Sequence, residues 1–235
     1  MSRLAEKLII RELKRCPNLL LCASAGGTPT RTYELLAARC KSQPRLFARL
    51  RILQIDEWAG LPPDSTARCQ RDLEQKLLEP LRVSRQRYEG FRSNAPDLER
   101  ECNRVANWLA DNGPIDVCIL GLGVNGHVAM NEPAAEFAPG VHVARLAKSS
   151  QKHPLLKQLS SKPSHGLTLG MGDILRSRKT LLLVSGYKKR RAFERLMAPR
   201  VTSKFPASFL WLHPDATILC DKEARGQRAA ASKAL

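Results

Sequence analysis

Five short runs of nearly continuous apolar residues punctuate the chain: LLLCAS (19–24), RILQID (51–56), DVCILGLG (116–123), TLLLVSG (180–186) and ATILCD (216–221). None alternates polar with apolar, which is the pattern of strands covered on both faces in a parallel sheet. Between them lie segments whose apolar residues recur at helical spacing: TYELLAARC (32–40), RDLEQKLLEPL (71–81), PDLERECNRVANWLAD (96–111) and KKRRAFERLMA (188–198). This alternation predicts an α/β fold, a doubly wound three-layer sandwich around a mostly parallel central sheet. The 235 residues suit one α/β domain, 1–235, that buries its core without metals or disulfides. No internal repeat or low-complexity segment interrupts it. The small, basic ending RGQRAAASKAL (225–235) is expected to fray.

In open α/β sheets ligands sit beyond the carboxyl ends of the strands, near the point where strand order reverses. The residues that follow each predicted strand are therefore the ones that carry candidate chemistry. They are Ala25-Gly26-Gly27-Thr28-Pro29, then Asp56-Glu57-Trp58, then Gly123-Val124-Asn125-Gly126-His127, then Gly186-Tyr187-Lys188-Lys189. All four should converge on one edge of the sheet.

In ASAGGTPT (23–30), two glycines between strand and helix let backbone N–H groups approach an anion, with Thr28 as a helix cap. A plain glycine-rich turn has the same pattern, and the spacing is not that of a Walker-type nucleotide loop. In QIDEWAGL (54–61), side-chain alternation should send Asp56 and Glu57 in different directions. One can then face the cleft as a base while the other makes structural hydrogen bonds, although a strand ending in a capping Asp is common too. GLGVNGHVAMNEP (121–133) lacks the glycine spacing of a dinucleotide fingerprint, with Val128 where a glycine is required. Its His127 can shuttle protons near neutral pH, and Glu132 five residues on can orient the ring and stabilise its charge, with Asn125 beside them. His165 and His213 lack metal-ligand spacing and are read as loop or packing residues.

Composition narrows the partners. Lys and Arg number 39 against 22 Asp and Glu, a net charge of +17, which favours anionic ligands. The basic residues are spread along helix-like faces beside acids, aromatics are only 5%, and no zinc finger or RNA-binding motif appears. A basic surface that attracts a phosphate ester is preferred to specific nucleic-acid recognition. The seven cysteines include no C-x-x-C pair, and Cys22, Cys118 and Cys220 fall in apolar runs as small hydrophobes. With no apolar run long enough to span a bilayer and no signal-peptide core, the expected location is cytoplasmic and no membrane partner is expected.

Taken together, SAGGTPT, DEWAGL, GLGVNGHVAMNEP, LTLGMGDIL and LLLVSGYKK resemble the glucosamine-6-phosphate deaminase/isomerase family, in order and spacing from about residue 19 to residue 223. The ending PASFLWLHPDATILCD resembles the galactosamine-6-phosphate branch. The resemblance implies a Rossmann-like sugar-phosphate isomerase fold. It also implies an enzyme of amino-sugar catabolism that isomerises and deaminates a hexosamine 6-phosphate, galactosamine 6-phosphate in first place. The chemistry implied needs neither metal nor organic cofactor, and helix faces in this family support anything from monomer to hexamer. By resemblance, Asp56 is the base acting at carbon 2, and His127 assists ring opening with Asn125 and Glu132 as partners. Gly26, Gly27, Thr28 and Lys189 match the phosphate site.

Lactonase cousins share the fold but carry a different sequence after the histidine, so Asn131-Glu132-Pro133 favours the amino-sugar branch over a 6-phosphogluconolactonase. Three departures are visible. Ala25 replaces a hydroxyl residue before the glycines, and Ser24, one position off, should point elsewhere. The lid segment SSQKHPLLKQ (149–158) has no phosphate-binding Arg, leaving Lys152 or Lys157 as substitutes. Only about eighteen residues precede the first strand, so a truncated first helix is expected. These departures keep a non-catalytic sugar-phosphate-binding protein as an alternative.

Overall fold

The computed structural model describes residues 1–226; from residue 227 onward the expected frayed end lies outside the described residues. Six strands form the central sheet: β1 (Leu20–Ala23), β2 (Arg51–Gln54), β4 (Tyr88–Glu89), β5 (Val117–Gly121), β8 (Thr180–Val184) and β9 (Ala216–Cys220). All pair in parallel, in the order β4-β2-β1-β5-β8-β9. The chain winds outward from β1 to one side, then crosses to β5 and winds to the other. Strand order therefore reverses between β1 and β5.

The uninterrupted apolar runs are explained by the two cores. Leu20, Cys22, Cys118, Leu120, Leu182 and Val184 face one layer, packed by α4 (Leu98–Asn112), α5 (Met171–Leu175) and α6 (Arg190–Met197). Leu19, Leu21, Ala23, Val117, Ile119, Leu181 and Leu183 face the other layer, against α1 (Ser2–Arg15) and α2 (Gly27–Ser42). Each fully buried Leu or Ile contributes roughly 2 kcal/mol of transfer free energy, so both faces demand apolar side chains.

A second sheet, absent from the sequence reading, joins β3 (Asp56–Trp58), β7 (His165–Thr168) and β6 (His142–Arg145) in antiparallel pairing. The single strand expected over 51–56 is divided at Ile55. Ile55 N–H still donates to Ala23 O of β1, but its carbonyl accepts from Leu169 N–H. The chain then pairs Asp56 with Thr168 instead of continuing in the central sheet.

The stretch before β1 forms one helix. Helix α1 has 14 residues and buries Ala5, Ile9 and Leu13, stopping two residues before Pro17. Helix α2 starts earlier than expected, at Gly27, with Gly26 as its cap residue and no side-chain cap. Thr28 therefore lies inside the first turn and does not cap it. The helix expected over 71–81 is α3 (Cys69–Leu73) followed by a widened π turn over Glu74–Leu78. Among the described residues no helix is long and apolar enough to cross a membrane.

Candidate active site

A cleft opens at the carboxyl ends of β1 and β5, where the strand order reverses. It is lined from one side by Gly26, Gly27 and Thr28, from the centre by Asp56 and His127, and from the others by Glu132, Ser150, His153 and Lys189. Five segments distant in sequence thus meet in one place.

The loop after β5 is folded tightly on itself. Gly123 N–H donates to His127 O at 2.8 Å, and Gly126 N–H donates to Gly123 O at 3.0 Å. Gly126 has φ +92°, and a Cβ there would lie 2.1 Å from the Phe205 ring. A Cβ on Gly123 would lie 2.5 Å from the His127 ring. These glycines shape the turn and make room for the imidazole.

Glu132 is the hub of the His127 arrangement. Its Oε2 lies 3.3 Å from His127 Nδ1 and accepts from Asn125 Nδ2 at 2.8 Å. Its Oε1 accepts from Ala147 N–H at 3.2 Å and from the Ser150 hydroxyl. Asn125 Oδ1 in turn accepts from His127 N–H at 3.2 Å. Burial opposes ionisation of Glu132, but the hydrogen bond and charge of His127, with Ser150 and Asn125, outweigh it and hold the carboxyl at about 2. Nδ1 of His127 is thereby engaged, and Nε2 is left for a ligand.

The adjacent acids of β3 divide as side-chain alternation requires. Glu57 is 0% exposed and accepts from Trp58 N–H at 2.9 Å, Cys69 N–H at 2.8 Å, Gln70 N–H at 2.9 Å and Gln54 Nε2 at 3.1 Å. It fixes the start of α3 against β3. Asp56 lines the cleft, and its carboxylate has no hydrogen-bond partner among the described residues. Desolvation, then the neighbouring Glu57 charge, raises it to about 7.

At the other end of the cleft, Gly26 N–H is already committed: it donates to Asp72 Oδ2 at 2.9 Å. Lys76 neutralises that carboxylate and also donates to Gly26 O at 3.3 Å. The N–H groups of Gly27 and Thr28, the first two of α2, stay open to a ligand. The Thr28 hydroxyl accepts from Ser185 at 3.3 Å. Burial lowers the Lys189 ammonium pKa. Gly26 thus contributes shape, while Gly27, Thr28 and Lys189 contribute donors.

Several residues in or behind the cleft were missed in the sequence. Ser150 and His153 enter it from the segment 149–158, where only an Arg or Lys was sought; Lys152 and Lys157 are exposed and do not line it. Asp72 and Lys76 lie in the segment expected to be one helix over 71–81, where neither is given a role. Ala25 packs against apolar neighbours, and the Ser24 hydroxyl is buried without a partner. His213 is a buried packing residue bonded to Ser177, and His165 is an exposed strand residue.

Residues 2–219 match the family model described as glucosamine-6-phosphate isomerases/6-phosphogluconolactonase. The chain belongs to this family. Within the glucosamine-6-phosphate isomerase family, it is 37% identical over 213 residues to the putative deaminase AgaI of Escherichia coli, covering 91% of this chain and 84% of that protein. It is 34% identical to the glucosamine-6-phosphate deaminase of Shouchella clausii, covering 95% and 92%. A solved structure of a monomeric glucosamine-6-phosphate deaminase superposes with a TM-score of 0.89 at 31% identity, over 97% of this chain and 95% of that one.

Proposed function

We propose that the protein converts a hexosamine 6-phosphate and water into a ketohexose 6-phosphate and ammonia. One observation carries this reading: Asp56 and the Glu132–His127 pair are two separate proton-handling groups that face the same cleft. Lactone hydrolysis needs one base and a phosphate site, whereas isomerisation of a closed sugar needs proton transfers at two places.

Lys189 and the Gly27 and Thr28 N–H groups hold the phosphate. His127 Nε2, its ring oriented through Nδ1 by Glu132, moves a proton from the anomeric hydroxyl to the ring oxygen, and the ring opens to the aldehyde. Asp56 takes the proton from carbon 2 while the aldehyde oxygen takes one from the amine nitrogen, giving an enolamine, and then returns its proton to carbon 1, leaving a hydroxyl at carbon 1 and an imine at carbon 2. Water adds to that carbon, the C–N bond breaks, and ammonia leaves as the C=O bond forms. A carboxyl poised at about 7 suits a group that must both accept and release a proton near neutral pH.

Similarity to glucosamine-6-phosphate deaminases supports the gluco epimer, and the PASFLWLHPDATILCD ending supports the galacto epimer. Ammonia release should therefore be measured in parallel on glucosamine 6-phosphate and galactosamine 6-phosphate, with ketose phosphate formation as a second readout. Release from at least one sugar, abolished by Asp56→Asn, is the expected result. No release from either at high enzyme concentration removes the proposal. Hydrolysis of 6-phosphogluconolactone that survives Glu132→Gln would instead identify a lactonase.

A further inference from the structure

The segment 149–158 folds over the cleft as two short 3-10 turns, Ser150–Lys152 and Pro154–Leu156. It is anchored rather than loose: Leu156 is fully buried among Trp58, Leu61 and Met130. Between the turns stands His153, whose ring centroid lies 5.5 Å from that of Trp58. Leu155 N–H donates to its Nδ1 at 3.3 Å, so in the neutral ring the proton resides on Nε2. That Nε2 has no hydrogen-bond partner among the described residues. It reaches the outer face of Gly26, where a Cβ would lie 3.3 Å from it.

We propose that His153 is the lid's phosphate ligand in this chain, donating its Nε2–H to the phosphate held by Gly27, Thr28 and Lys189. The proposal rests on the sugar-phosphate reading above and names a residue that no arginine-based lid would use. A neutral donor suits this corner. Burial, then the charges of His127 and Lys189, hold the imidazole at about 4, with Asp72 opposing and Lys76 adding to the effect. At neutral pH the ring therefore supplies a hydrogen bond without a further cation beside Lys189 and Lys76, where charge repulsion in the empty site would destabilise the fold. It also explains why Gly26 suits its position: any side chain there would crowd Nε2 as well as strain a φ of +100°.

The test is inorganic phosphate binding to the full chain, by calorimetry at neutral pH, for wild type, His153→Leu and His153→Gln. Glutamine places an N–H donor near the position of Nε2, whereas leucine does not. The expected result is about a tenfold loss of phosphate affinity in His153→Leu, with His153→Gln within about threefold of wild type. KM for the sugar phosphate should rise with the same pattern, with kcat nearly unchanged. Phosphate affinity of His153→Leu within about twofold of wild type overturns the assignment. So does an equal loss in both variants accompanied by lowered melting temperatures, which would mark a structural role, and so does failure of wild type to bind phosphate. Phosphate binding of the expected pattern in a chain that releases no ammonia keeps His153 as a ligand and removes only the deaminase reading.

Discussion

Oε2 of Glu132 lies 3.3 Å from Nδ1 of His127, and the same carboxylate also accepts from Asn125, Ser150 and the Ala147 N–H. The imidazole is thus oriented before any substrate arrives, and its other nitrogen is the one offered to the cleft. Replacing Glu132 by Gln keeps the shape but removes the charge that stabilises an imidazolium. Ammonia release should fall by about 100-fold in kcat, within the usual range for a disabled acid–base pair. A loss under about threefold would show that His127 acts without this partner.

The same contact makes stability depend on pH. Folding lowers the Glu132 carboxyl from 4.5 to about 2, so its stabilisation is complete above the unfolded value and lost as pH falls towards the folded one. Urea denaturation should separate wild type from Glu132→Gln by on the order of 2 kcal/mol at neutral pH. The two curves should converge as pH drops below about 4. A gap that is constant across this window would disconnect the pKa from folding.

Asp56 carries the opposite sign. Its folded value of about 7 lies above the ordinary 3.8, so the folded state holds the proton longer, and stability declines as pH rises from about 4 to about 7 and levels off beyond. Asp56→Asn should remove that decline, which melting temperatures at about pH 5 and about pH 8 will read. Because the base must be ionised, wild-type kcat/KM should rise along an acid limb centred near the same pH. An acid limb unchanged from pH 5 to 8, as a rough window, would assign the proton transfer elsewhere.

Its neighbour behaves as structure. Glu57 accepts four hydrogen bonds in a fully buried position, three of them from backbone N–H groups. In Glu57→Gln an amide NH2 would face some of those donors, and leaving buried groups unpaired costs about 1–3 kcal/mol each. Chemical denaturation should show a destabilisation of about 2 kcal/mol or more. Asp56→Asn should cost far less.

Two glycines of one loop should separate stability from catalysis. Gly126→Ala drives a Cβ into Phe205 at a φ of +92° and is expected to destabilise the fold by about 2 kcal/mol or more. Gly123→Ala presses on the His127 ring instead, so activity should fall by more than tenfold with a smaller shift in melting temperature, since a ring displaced by about 1 Å is enough to lose such a factor. Equal effects of both variants on the two readouts would contradict this division.

The sequence by itself determined the central sheet, because burial on both faces leaves a local mark: the apolar runs at 19–24, 116–123 and 180–186 coincide with β1, β5 and β8. It also placed Asp56, His127 and Lys189 beyond the strand ends at one sheet edge, since a strand's direction fixes which end its following residues occupy. The tertiary structure decided what depends on partners far away in the chain. Pairing with Thr168 split the 51–56 run at Ile55 and turned Asp56, rather than Glu57, to the cleft. Asp72, 46 residues beyond Gly26, took that N–H out of the anion cradle. Ser150 and His153 entered the site because Leu156 anchors their turns in the core beside Trp58. No period or spacing in the sequence encodes these contacts, because each arises only when segments distant in the chain close around one another.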